Sequence, residues 1–133
     1  MERFKNWRRP LIRHNVLTEW FWLVLFPEYL KLGEQTDIGA FTLIVASCGV
    51  KIGHHAQIGS HCAIYSESTI DGKKGQVTIG IGAKIGSHCT IMPGVKIGRD
   101  AIIGAHSFVN RDIPANAIAW GTPAKVRKVT KAF

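Results

Sequence analysis

Residues 77–109 read VTIGIGAKIGSHCTIMPGVKIGRDAIIGAHSFV. Within them Ile79, Ile85, Ile91, Ile97, Ile103 and Val109 return every six positions. The residue two before each is also restricted: Val77, Ala83, Cys89, Val95, Ala101 and Ser107. Along an extended strand, residues two apart face the same side, so each pair offers both its side chains to a common interior. A beat of six that never drifts toward 3.6 excludes an amphipathic helix.

The same beat runs upstream through Ile52, Ile58, Ile64 and Ile70, preceded by Val50, Ala56, Cys62 and Ser68. Gly follows the aliphatic residue in six of these ten units (Gly53, Gly59, Gly80, Gly86, Gly98, Gly104), as expected if the chain turns after each short strand. Short strand and turn, repeated, predict an all-β solenoid whose coils stack by parallel pairing. Cys62 and Cys89 fall in interior slots and read as packing residues. From Ile70 to Ile79 the count is nine, which predicts a loop at 66–77. From Ile44 to Ile52 it is eight, so the solenoid starts irregularly. Three parts result: a basic, helical capping segment at 1–35, the solenoid at 36–119, and a closing segment at 120–133.

In the first part, Val16–Lys31 is expected to form a helix that covers the unpaired edges of the first coil. Its apolar run Trp20–Phe26 is far below the roughly 20 residues of a membrane-spanning helix, and no secretory signal is expected. The basic and aromatic residues of 1–31 also suit peripheral contact with an anionic membrane surface. The chain has 133 residues, 17 Lys and Arg, 9 Asp and Glu, and a formal charge of +8. The cations gather at the two ends and favour a polyanionic partner. No motif supports nucleic acid as that partner. Three cysteines without a C-x-x-C spacing argue against a disulfide framework and a structural zinc site, and point to a reducing, cytoplasmic setting.

With the run IMPGVKIGRDAIIGAHSFVNRDIPANAIAWGTPAKV at 91–126 and its G-x-P-A-K closure at Gly121–Lys125, the chain resembles the hexapeptide-repeat acyltransferases, in particular maltose, galactoside and xenobiotic acetyltransferases and related sugar acyltransferases. The resemblance implies a left-handed parallel β-helix with three hexads per coil, and a homotrimer that transfers an acyl group from acetyl-CoA at clefts between subunits, with no metal required. It places coenzyme A contacts at Asn110, Arg111, Thr122, Pro123, Ala124 and Lys125. Arg127 beside them adds positive charge for the phosphates. Ser87 matches a turn position whose backbone N–H faces the thioester oxygen, an oxyanion-stabilising role.

The family's catalytic His lies in a stretch matched here by Ile64–Ile70, and Thr69 stands in its place. A Thr hydroxyl is a poor proton acceptor, so another group must act as general base on a sugar hydroxyl. The candidates are His54, His55, His61, His88, Glu67 and Asp71. His55, His61, His88 and His106 each fall three residues after the repeating aliphatic position, in a turn where His tolerates positive φ. With three hexads per coil, His88 and His106 stack on one edge. If the loop removes nine residues from the coil, His61 joins them; if it removes three, Glu67 stacks beside His88 instead. The alternation of glycines favours nine, which puts His61 first and His88 second. An amino-sugar acceptor needs less help, and there Glu67 or Asp71 would suffice to orient the amine. This favours N-acylation of a nucleotide-linked amino sugar in surface polysaccharide synthesis, with O-acetylation or an inactive trimer as the alternatives. A zinc-dependent relative with the same fold uses two His five residues apart, a spacing absent here.

Overall fold

A computed structural model describes residues 4–130. The chain winds through three parallel sheets in turn. The first contains β1 (Leu23–Leu25), β4 (Leu43–Val45), β7 (Ala63–Tyr65), β12 (Thr90–Ile91) and β15 (Phe108–Val109). The second contains β2 (Leu30–Leu32), β5 (Val50–Ile52), β10 (Val77–Ile79) and β13 (Lys96–Ile97). The third contains β3 (Asp37–Ile38), β6 (Gln57–Ile58), β11 (Lys84–Ile85) and β14 (Ile102–Ile103). It ends in an antiparallel hairpin of β16 (Ala117–Gly121) and β17 (Ala124–Val129). The result is an all-β parallel solenoid.

The repeating aliphatic residues form the core because each is directed inward by the strand period. Ile44, Ile64, Ile91 and Val109 stack on the first sheet and are fully buried. Ala56, Ala83 and Ala101 fill the narrow slots beside a corner. Cys62 and Cys89 do the same at another, donating to the Gly86 and Gly104 carbonyls at 3.2 and 3.1 Å. The hydrogen bond with Cys89, and then burial, push the Cys62 thiol above its ordinary pKa. Thr42, Ser66 and Ser107 are buried, and each hydroxyl donates to a backbone carbonyl.

The register locates the missed beat. Ile64 pairs with Ile91, 27 positions on, whereas Ile91 pairs with Val109, 18 positions on. The interruption therefore removes nine residues from the coil. Ile70 is not a core position as its spacing suggested: it is 98% exposed at the tip of a small hairpin formed by β8 (Glu67–Ser68) and β9 (Lys73–Lys74). The hairpin leaves the coil at buried Ser66 and returns at Gly75, whose N–H donates to the Ser66 carbonyl at 2.9 Å.

The helix expected over Val16–Lys31 is not present. This stretch forms β1, a 3-10 turn at Pro27–Tyr29, and β2, which pair with β4 and β5 as the first coil. Phe21 and Phe26 adopt φ of 66° and 60°, which a right-handed helix cannot accommodate. Trp22 and Val24 are buried with the alternation of a strand, Trp22 occupying a slot that is small in later coils. The edges of this coil are covered instead by the irregular segment before it. Trp7 Nε1 donates to the Thr36 carbonyl, Arg9 to the Leu32 carbonyl, and the Asn15 N–H to the Val24 carbonyl.

The glycines after the aliphatic positions serve close approach between coils. A Cβ on Gly59 would lie 2.6 Å from the Ser87 backbone nitrogen of the next coil. Gly59→Ala is therefore expected to cost about 1–3 kcal/mol through forced backbone displacement. A urea unfolding midpoint equal to that of the parent would contradict this spacing.

Candidate active site

At most corners the residue three after the aliphatic position has a left-handed backbone, as at His55, Gly82, Gly94 and Asp100. Between the third and first sheets this position is held by Phe21, Phe41, His61, His88 and His106, with φ between 59° and 66°. Stacked coils place identical corner positions one above another, so their rings form a column. His61 and His88 have ring centroids 4.8 Å apart and planes 2° from parallel; His88 and His106 are 4.8 Å apart at 11°. Phe41 lies 5.2 Å from His61, and Phe21 6.4 Å from Phe41. The expected column of three imidazoles is present, extended by two phenylalanines. The signal for Phe41 was available, since it follows Ile38 by the offset at which His61 follows Ile58.

Ser87 precedes His88 on this corner, and its N–H donates to no group among the described residues. The closing hairpin borders the same corner. Gly121 N–H donates to Ser107 Oγ at 3.1 Å, and a Cβ on Gly104 would meet Trp120 Cβ at 2.9 Å. Thr122, Pro123, Ala124 and Lys125 form the tip and return of this hairpin. The Arg127 guanidinium lies 5.4 Å from the Trp120 ring centroid and donates to the Trp120 carbonyl. Nothing in the sequence pattern singled out Trp120, which this stacking makes a fixed wall beside the cationic residues.

Glu67, Asp71, Asn110 and Arg111 lie at the corner between the first and second sheets. Glu67 accepts a hydrogen bond from Ser47 Oγ at 2.8 Å, and its other oxygen is 3.8 Å from Lys74 Nζ. Asp71 is exposed in the hairpin turn. The Lys73 backbone N–H, and then the Ser68 side chain, hold its carboxyl below the ordinary range, which makes it a weaker base. Asn110 and Arg111 follow β15 on this corner and are exposed. His54 and His55 belong to the third corner, where His54 Nδ1 accepts the Glu34 N–H at 2.8 Å. The fold thus groups His61, His88, Ser87 and the Thr122–Arg127 segment, and separates them within one chain from Glu67, Asp71, Asn110 and Arg111. No group of three or more His, Cys, Asp or Glu side chains placed to hold a metal ion occurs among the described residues.

A family model described as bacterial transferase hexapeptide (six repeats) matches residues 76–111. The putative acetyltransferase YvoF of Bacillus subtilis (strain 168) is 34% identical over 103 residues, covering 77% of this chain and 49% of that protein. The chain spans about half the length of this curated relative and less of the serine acetyltransferase of Mycobacterium tuberculosis, of which it covers 41%. Among solved structures, a maltose O-acetyltransferase from Clostridium difficile 630 superposes with a TM-score of 0.77 at 27% identity, over 84% of this chain and 64% of that one. With its repeat, its register and these likenesses in agreement, the chain carries the bacterial transferase hexapeptide repeat and is similar to hexapeptide-repeat acetyltransferases.

Proposed function

We propose that the protein transfers an acetyl group from acetyl-CoA to an amino sugar carried on a nucleotide, in the cytoplasm, for surface polysaccharide synthesis. The observation that carries this reading is the single corner that joins an imidazole column, an unengaged backbone N–H at Ser87 and a hairpin bearing Lys125 and Arg127. Such a corner has donors for a thioester oxygen, bases for a nucleophile and cations for phosphates. A solved galactoside acetyltransferase in complex with coenzyme A, 29% identical with a TM-score of 0.75, supports the donor. In the reaction the acceptor nitrogen attacks the thioester carbon. The Ser87 N–H stabilises the oxyanion, an imidazole of His61 or His88 takes the acceptor proton, and coenzyme A leaves as the thiol.

We further propose the left-handed coil sense and the homotrimer that the family resemblance implies. Asn110, Arg111, Glu67 and Asp71 then meet the imidazole corner across a subunit boundary, since they lie on another corner of their own chain. Transfer to a sugar hydroxyl is the second reading, favoured by the three exposed imidazoles, because a hydroxyl must lose its proton as it attacks.

Calorimetry with acetyl-CoA, followed by thiol release with matched amino- and hydroxyl-sugar nucleotides, tests both readings. Binding of acetyl-CoA is expected, with Lys125→Glu weakening it by about tenfold, the loss of one charge-assisted contact. No binding of acetyl-CoA by the parent would sink the acyltransferase reading. Turnover of hydroxyl sugars alone would sink the preference for amines.

A further inference from the structure

At the end of the solenoid formed by its first coil, exposed aliphatic side chains lie beside arginines. The covering segment crosses the edges of β1, β2 and β3 and turns aliphatic side chains away from the core. Leu11 is 75% exposed, Val16 52% and Leu17 47%. These residues line a shallow groove together with Arg8, Arg9 and Arg13. Two of the arginines are held in place. Arg8 pairs with Glu19 and lies 5.5 Å from the Trp20 ring centroid, while Arg9 donates to the Leu32 carbonyl and lies 5.5 Å from that of Trp7. Trp20 is itself 40% exposed beside them.

We propose that this end is a docking surface for an anionic lipid bilayer. Three arginines against one acidic residue, Glu19, complement lipid phosphates, with which a guanidinium forms forked hydrogen bonds. The groove is shallow, and Leu11, Val16 and Leu17 keep about half or more of their surface open to solvent along it. Projecting side chains suit a fluid acyl region, whereas a protein partner would have to supply a matching hole for each. Arginine stems lying along apolar surface keep their charged heads at the phosphate level while Leu11 and Leu17 sit deeper. Contact of this kind is peripheral, as no helix among the described residues is long and apolar enough to cross a membrane. In a cyclic trimer three copies of the surface face the same side, which multiplies a weak single contact. The inference is independent of the acyl-transfer reading, because it concerns the end of the solenoid and not its imidazole corner.

The test is co-sedimentation of the full chain with vesicles, in the absence of acetyl-CoA and acceptor. Binding to phosphatidylcholine vesicles containing phosphatidylglycerol is expected, with release at high salt and little binding to phosphatidylcholine alone. Leu11→Asp combined with Arg13→Glu is expected to lower the bound-to-free ratio by about tenfold or more, since it removes one apolar anchor and reverses one charge. Both side chains are exposed, and an unchanged melting temperature would confirm that the variant folds. Lys51→Glu, an exposed change on the flank in β5, should bind as the parent does, which separates a local surface from net charge. The proposal is overturned if the parent stays in the supernatant, if phosphatidylcholine alone binds it equally, or if the double variant binds as well as the parent. It is also overturned if the parent self-associates through this end, reversed by Leu11→Asp, without binding vesicles.

Discussion

Ile91→Ala is expected to lower unfolding stability by about 2–5 kcal/mol, the range for removing a large aliphatic side chain from a rigid core. Ile91 is fully buried and is paired with Ile64 on one side and Val109 on the other. A solenoid is held together by contacts between neighbouring coils, so a cavity at Ile91 weakens two interfaces at once. Ile70→Ala is the internal comparison. Ile70 shares the same spacing in the sequence but is 98% exposed, and its substitution should stay within about 0.5 kcal/mol of the parent. Urea unfolding of the two variants measures the difference. Similar midpoints would mean that Ile91 is not enclosed as described, or that Ile70 is not on a projecting hairpin.

The second large effect is on turnover. Replacing His61 and His88 together by Asn is expected to lower kcat by about 10²- to 10⁴-fold, the usual contribution of a positioned general base. Asn is the choice because both positions have φ of 59°, a region that Asn enters readily and that Ala enters at a cost. Both side chains are exposed, so the change should leave melting close to that of the parent. The single variants then assign the role, with His61→Asn expected to account for most of the loss. Unchanged kcat in the double variant would remove the imidazole column from the mechanism. Glu67 would then become the leading candidate, on the hairpin where Ser47 and Lys74 hold it.

The separation of candidates between two corners also bears on assembly. Hydrogen bonds and ion pairs fix Glu67 and Asp71 within their own hairpin, and the strands of a coil hold the corners apart. Asn110 and Arg111 follow β15 at one corner, whereas His88 stacks at the corner before the first sheet. If all these residues serve one site, a second copy of the chain must supply part of it, which is the arrangement proposed for the trimer.

The sequence by itself determined the interior of the protein. A period of six with a two-residue internal spacing admits only short strands and turns, because strand geometry ties residues two apart to one face. That was enough for the all-β class, for the buried aliphatic residues from Ile52 onward, and for the left-handed backbone of the corner histidines. It was less reliable where a residue type has two physical uses. Ile70 kept the beat by coincidence, and Val16–Lys31 had the apolar content of a helix but the alternation of a strand, with Trp22 in a normally small slot. Only the tertiary structure decided which corner each functional side chain occupies. Corner assignment depends on how many residues each coil spends outside the stack, and a one-dimensional count cannot distinguish inserted residues from paired ones. The pairing of Ile64 with Ile91 resolves it: nine residues are set aside, and His61, His88 and His106 come into one column.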